Sequence, residues 1–262
     1  MAGDRREAAA KIEERLFDLV LLEFHLATNS TENLQESSGF ELIERIRQRS
    51  PATHIIATSS DNGPETLLRV LRCQVHRFLT KPLDKKALLD AVHAELESPT
   101  ALPMQVLSAV PGWVEVIAPC DLYTAERIQE FMASLNADLS LEIRESAGQA
   151  FRELLLNAME WGCHFDASHQ VRVSCLRGRR MLMFRISDPG SGFSFESLSH
   201  ASVSNPPNEP LRHMEMREAR SMRPGGLGIA MTRGLVDELI YNEANNEVVL
   251  IKYLEESAGR SS

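Results

Sequence analysis

Three short stretches in the second half of the chain constrain its fold and chemistry most. In chain order they are Glu153-Leu-Leu-Leu-Asn157, Asp188-Pro-Gly-Ser-Gly192 and Gly225-Gly-Leu-Gly228. The first has a helical pattern, and its spacing of four places the two polar side chains on one helix face. The second ends an apolar strand, and the third precedes a helix whose N-terminus favours an anion. A carboxylate for a base edge, an amide for a metal ion and glycine turns for phosphate together predict an ATP site.

The three stretches resemble the N, G1 and G2 boxes of the Bergerat-fold ATPases, a group that includes gyrase, Hsp90, histidine kinases and MutL. The resemblance is greatest with the anti-sigma-factor serine kinases and extends over about residues 106–254. It implies a Bergerat-type α/β sandwich, a mostly antiparallel sheet with helices on one face. It also implies ATP and Mg²⁺ as ligands.

The resemblance gives each matching residue a role. Asp188 accepts the adenine amine, and Asn157 holds Mg²⁺ through its side-chain oxygen. Glu153 is the general base for a substrate hydroxyl or positions a water molecule, the alternative being a capping or metal-shell role without proton transfer. The glycines that shape the backbone around the nucleotide are Gly190, Gly192, Gly225, Gly226 and Gly228. Trp161 stands where many relatives carry histidine, which leaves the catalytic detail open.

The pattern of apolar residues predicts the other elements of this half. The predicted strands are 106–108, 113–117, 171–176, 181–187 and 247–253, and the predicted helices are 125–135, 150–161 and 229–239. The polar interval between Gly192 and Gly225 corresponds to the ATP lid of the resembled family. A connection of this length without periodicity is typical of a functional or disordered segment.

The first 97 residues alternate helix and strand. The predicted strands are 19–24, 54–58 and 77–80, and helical patterns precede, separate and follow them. Short buried strands separated by helices predict a parallel sheet with crossover connections.

This part resembles the receiver domain of response regulators, a flavodoxin-like fold. The likeness rests on the strand Asp18-Leu-Val-Leu-Leu-Glu23, on Thr58 as the switch threonine and on Lys81-Pro82. The phosphoacceptor position carries Glu23 rather than aspartate, and no strand upstream supplies the acidic pair. Because phosphoryl transfer needs a carboxylate cluster and an in-line nucleophile, we expect a degenerate site that is not phosphorylated.

The likeness also implies truncation. A receiver sheet has the strand order 2-1-3-4-5, so the absence of its first two strands leaves Leu19–Phe24 as an apolar edge. Either another chain covers this edge, or the protein starts upstream and Met1 is an internal methionine, which is the favoured explanation.

Prolines 99, 103 and 111 cluster between the two patterned regions and interrupt helix there. We therefore predict a partial receiver-like domain at residues 1–97, a linker at 98–105, the ATPase domain at 106–256 and a tail at 257–262.

Composition excludes several classes of function. A net charge of −9 without a basic patch disfavours nucleic acid as a partner, and no apolar run is long enough to span a membrane. The four cysteines lack a C-x-x-C pair, which predicts reduced thiols, a cytoplasmic protein and no metal beyond a cation that arrives with the nucleotide.

Two functional hypotheses remain. The first is a signalling protein with serine/threonine kinase activity toward a regulatory protein, for which the resemblance suggests an anti-sigma-factor antagonist. The second is a non-catalytic, ATP-gated binding switch or docking protein in a two-component pathway, and either could form a homodimer. A histidine kinase is disfavoured, because no histidine lies between His93 and His164, where a phosphoacceptor helix would precede the ATPase domain.

Overall fold

The computed structural model describes residues 2–24, 38–97, 104–193 and 228–254. Chain contacts group residues 1–111 and 112–262 into two compact units. The helices are α1 (Arg5–Glu14), α2 (Ser38–Arg49), α3 (Pro64–Arg72), α4 (Lys85–Glu97), α5 (Leu122–Leu135), α6 (Leu141–Asn157), a π-helix (Ala158–Gly162) and α7 (Gly228–Leu235). The strands are β1 (Leu19–Glu23), β2 (His54–Ser59), β3 (Arg77–Thr80), β4 (Gln105–Val110), β5 (Trp113–Pro119), β6 (Gln170–Arg177), β7 (Met181–Ser187), β8 (Glu238–Tyr241) and β9 (Glu247–Tyr253).

The first unit contains a three-stranded parallel sheet of order β1-β2-β3. All six residues of the central strand β2 are buried, and Leu19 of β1 pairs with its first residue, His54. Phe24 and Ile43 fill the core beside the sheet, each 1% exposed. The predicted parallel, flavodoxin-like arrangement is confirmed.

A buried polar network ties α4 to this sheet. Glu95 is fully buried, its Oε2 lies 2.9 Å from His54 Nδ1, and its Oε1 lies 3.5 Å from Arg77 Nε. His54 and His76 stack with ring centroids 4.6 Å apart and planes 29° apart, and His76 Nδ1 accepts the Ile55 N–H at 2.9 Å. The potential metal-ligand atoms of His54, His76 and Glu95 lie within 4.8 Å of one another, but the Nδ1 atoms of both histidines are engaged in the contacts with Glu95 and the Ile55 N–H. The network is therefore an arrangement for holding the helix in place.

The second sheet has the strand order β4-β5-β6-β7-β9-β8, and its pairs from β5 to β8 are antiparallel. Alternate residues form a buried face that includes Val173, Phe184 and Leu250. Helix α6 packs on this face, with the Phe151 and Phe184 rings 4.5 Å apart. The opposite face carries ion pairs instead, such as Arg185 with Glu247 at 2.7 Å. This is the predicted α/β sandwich with helices on one face, and it is confirmed.

The helix predicted from 229 to 239 is wrong at its C-terminal end. Helix α7 ends at Leu235, and residues 238–241 form β8, which pairs antiparallel with β9. A turn of helix and an edge strand share the same apolar residue types, so the partner strand decides between them.

The expectation of reduced thiols is wrong for one pair of cysteines. Cys120 and Cys163 form a disulfide, with Cα atoms 6.1 Å apart and both residues buried. They are 43 residues apart in sequence, and the fold alone brings together the segment before α5 and the end of the π-helix. Cys73 and Cys175 are free.

None of the helices among the described residues is long and apolar enough to cross a membrane. The predicted linker at 98–105 and tail at 257–262 stay predictions, since residues 98–103 and 255–262 lie outside the described residues.

Candidate functional site

Helix α6 and the π-helix that continues it carry the first part of the site. The Ser140 side chain caps α6 by accepting the Ile143 N–H at 3.5 Å, and the helix then runs unbroken to Asn157. Glu153 and Asn157 are half-buried near its C-terminal end. The next five residues form the π-helix instead of the predicted α-helix, an irregularity that often occurs at functional sites.

The π-helix brings Gly162 against Asp188, directly after β7. A β-carbon at Gly162 would lie 2.1 Å from Asp188 Oδ1, so only glycine permits this approach. The same carboxylate oxygen accepts the Gly190 N–H at 2.9 Å. Burial raises the pKa of Asp188 above its ordinary value, while the Gly190 hydrogen bond acts in the opposite direction. One Asp188 oxygen is thus engaged by the backbone, and the carboxylate lies in a partly desolvated recess.

The glycine loop after Asp188 lies against the turn between β8 and β9. Gly192 has φ +75°, and a β-carbon there would lie 1.7 Å from the Ala244 carbonyl oxygen. Asn246 donates from Nδ2 to the Gly190 carbonyl at 2.9 Å. Neither Gly162 nor Asn246 was among the residues predicted from the sequence. The Asn-rich run at 242–246 was the available signal for the second of them.

A second group of predicted residues converges at the start of α7. A β-carbon at Gly228 would lie 2.8 Å from Glu153 Oε2 and 3.8 Å from Asn157 Nδ2. The Gly228 carbonyl accepts the Thr232 hydroxyl at 2.7 Å, which secures the first turn of α7. The structure therefore brings Glu153, Asn157 and Gly228 together at the last turn of α6, directly before the π-helix that reaches Asp188.

Two predicted glycines, Gly225 and Gly226, lie outside the described residues, as does nearly all of the predicted lid between 192 and 225.

The receiver-like site is assembled at the ends of the parallel strands in the first unit. Glu23 ends β1 and accepts a hydrogen bond from Lys81 Nζ. Thr58 pairs with Glu23 across β1 and β2 and is 3% exposed. The three residues predicted to form a degenerate site thus occupy neighbouring strand ends, with a carboxylate–ammonium pair between Glu23 and Lys81.

Two protein families match the chain. Residues 119–252 match the histidine kinase-like ATPase domain, and residues 1–93 match the response regulator receiver domain. The first match covers helix α6, strand β7 and helix α7, the elements that position Glu153, Asn157, Asp188 and Gly228.

Curated relatives include transcriptional regulatory protein ZraR. The Salmonella typhimurium protein is 25% identical over an alignment of 137 residues, and the match covers 46% of this chain and 29% of that protein. The Escherichia coli O157:H7 protein is 29% identical over 101 residues, 38% of this chain and 20% of that protein. The chain spans less than a third of the length of these relatives.

Solved structures similar to the chain include a CheY-like receiver domain protein from Methanospirillum hungatei JF-1. It is 24% identical, with a TM-score of 0.31, and the match covers 37% of this chain and 70% of that protein. NtrX from Brucella abortus, crystallised with ADP, is 26% identical with a TM-score of 0.30, over 37% of this chain and 20% of that protein. Similarity at these scores adds nothing to the family matches. The match over more than half of its length shows that this chain belongs to the histidine kinase-like ATPase domain family, here joined to a response regulator receiver domain.

Proposed function

We propose that this chain is an ATP-binding signalling regulator that transfers phosphate from ATP to a serine or threonine of a partner protein. The family match supports ATP binding and signalling. The observation that carries the catalytic part is the position of Glu153, whose carboxylate packs against Gly228 at the start of α7, one turn of helix from Asn157.

Asp188 supplies the acceptor for the adenine amine. Its Oδ1 accepts the Gly190 N–H at 2.9 Å, which leaves Oδ2 for the base. Partial burial strengthens a hydrogen bond to this carboxylate relative to one in water.

The start of α7 supplies the phosphate end of the site. Backbone N–H groups at a helix N-terminus favour an anion, and α7 begins at Gly228, beside Glu153 and Asn157. The Asn157 side-chain oxygen is a donor of the kind that Mg²⁺ accepts, so this residue would hold the ion. When bound, the ion would neutralise charge on the phosphates.

Glu153 then acts on the acceptor hydroxyl. A carboxylate beside the phosphate end of the site takes the proton as the serine or threonine oxygen bonds to the γ-phosphorus. The bond from that phosphorus to the oxygen bridging the β-phosphate breaks, and ADP is the leaving group. The resemblance to anti-sigma-factor kinases makes an anti-sigma-factor antagonist the first partner to test.

The test is incubation with γ-labelled ATP, Mg²⁺ and candidate partner proteins, followed by mapping of phosphoserine and phosphothreonine. We expect label on the partner with the parental protein and none with Glu153→Gln. If a candidate partner binds in an ATP-dependent way but no candidate becomes labelled, the kinase hypothesis is refuted and the ATP-gated switch is supported. Failure of the parental protein to bind ATP would refute both.

A further inference from the structure

The turn between β8 and β9, residues 242–246, forms hydrogen bonds with the loop that begins at Asp188. The Asn246 carbonyl accepts the Asp188 N–H at 3.0 Å, and its side-chain Nδ2 donates to the Gly190 carbonyl at 2.9 Å. One residue therefore clamps both ends of the three-residue turn that presents the Asp188 carboxylate.

The orientation of the Asn246 amide is fixed by its neighbour. Asn242 Nδ2 donates to Asn246 Oδ1 at 2.8 Å, and Asn242 Oδ1 accepts the N–H groups of Asn246 and Glu247, each at 3.1 Å. Since the Asn242 oxygen faces two backbone donors, its nitrogen must face the Asn246 oxygen. The Asn246 nitrogen is then directed at Gly190.

The contact continues along the loop beyond Gly190. Asn245 Nδ2 donates to the Phe193 carbonyl at 2.8 Å, and the Phe193 N–H donates to the Ala244 carbonyl at 3.2 Å. Gly192 lies between them, with no room for a β-carbon beside Ala244. The 242–246 turn and the 188–193 loop therefore form one hydrogen-bonded unit.

We propose that Asn246 is a positioning residue of the nucleotide site, which sets the location of the Asp188 carboxylate relative to the adenine ring. This inference rests on the proposed ATP site. Asn246 acts by holding the backbone on both sides of Asp188, so loss of its side chain lets the carboxylate leave its productive position.

The experiment is calorimetric titration of the full chain with a non-hydrolysable ATP analogue. Asn246→Ala is expected to weaken binding by about fivefold or more. It removes the side-chain hydrogen bond to the Gly190 carbonyl and keeps only the backbone hydrogen bond to Asp188. Asn242→Ala should weaken binding less, since it frees the Asn246 amide without removing it. Glu243→Ala, an exposed change in the same turn, is the matched control and should leave affinity unchanged.

A double-mutant cycle separates positioning from a general loss of structure. If Asn246 acts through Asp188, Asn246→Ala should cost little further affinity in an Asp188→Asn background. Equal losses in both backgrounds would overturn the positioning role, as would an unchanged affinity of Asn246→Ala.

Failure of the proposed function would give a different experimental result from failure of the Asn246 inference. If the parental protein does not bind the analogue, the ATP site itself is wrong and the inference fails with it. If the parental protein binds the analogue and the two substitutions have additive effects in the double-mutant cycle, the ATP site is supported and only the positioning role of Asn246 is refuted. Thermal unfolding of each variant shows that the losses are measured on folded protein. If Asn246→Ala does not fold, Asn242→Ala takes its place, and an affinity equal to that of Glu243→Ala would overturn the inference.

Discussion

Substitution of Asp188 by asparagine separates recognition of the base from stability. The Gly190 N–H holds one side-chain oxygen of Asp188 at 2.9 Å, so the amide oxygen of the variant should take that place. The amide NH₂ then occupies the position of Oδ2 and faces the adenine amine, donor against donor. The variant therefore loses an acceptor and gains an unfavourable contact at the same point.

The size of the effect follows from the charge of the acceptor. A hydrogen bond to a charged group contributes about 1.5–3 kcal/mol, and each ~1.4 kcal/mol is a factor of about ten in affinity. Because Asp188 is only partly buried, the lower part of this range applies, and we expect ATP binding at least about tenfold weaker. Calorimetry with ATP and with ADP should show the same loss, since both share the base.

We expect Asp188→Asn to weaken ATP binding without lowering the stability of the nucleotide-free protein. Burial raises the pKa of Asp188, which means that the ionised carboxylate is less favourable in the folded protein than in the unfolded chain. A neutral amide removes this cost, so Tm at neutral pH should stay the same or rise. The raised pKa also means that ATP affinity of the parental protein should fall on acidification at a higher pH than an exposed aspartate would give.

Asp138→Asn is the matched control. Asp138 accepts two hydrogen bonds from Arg177, at 2.6 and 2.7 Å, which lower the pKa of Asp138. Its loss should lower Tm slightly and leave ATP affinity unchanged, since an exposed ion pair is worth up to about 1 kcal/mol. Unchanged ATP affinity of Asp188→Asn, or a loss that parallels a drop in its Tm, would refute the role drawn for Asp188.

Three further predictions concern other parts of the chain. Glu153→Gln should keep ATP affinity but abolish phosphate transfer, because an amide cannot take the hydroxyl proton; transfer at the parental rate would exclude the general base. Gly162→Ala should weaken ATP binding by about tenfold or more by displacing the Asp188 carboxylate, whereas Gly148→Ala, which meets no atom within 4 Å, should bind normally and unfold at a higher temperature. Acetyl phosphate with Mg²⁺ should produce no mass shift, since Glu23 replaces the phosphoacceptor and is engaged by Lys81; a phosphate mapped to residues 1–97 would contradict this.

The local sequence determined the elements that depend on periodicity and on short-range chemistry. Short strands separated by helical patterns predicted the buried parallel strand β2, and the strand patterns at 171–176 and 181–187 predicted the two strands that pair as β6 and β7. The spacing of four between Glu153 and Asn157 placed both on one helix face, and the structure finds both beside Gly228. These features were predictable because each depends on residues within a few positions of one another.

Tertiary structure alone decided the features that depend on distant partners. Residues 238–241 form a strand because they pair with β9. Cys120 and Cys163 form a disulfide although they are 43 residues apart in sequence. The π-helix placed Gly162 against Asp188, and the Asn246 amide reached Gly190 from 56 residues away. A local sequence pattern cannot predict such contacts, because they are stabilised only when segments distant in sequence pack together in the folded protein.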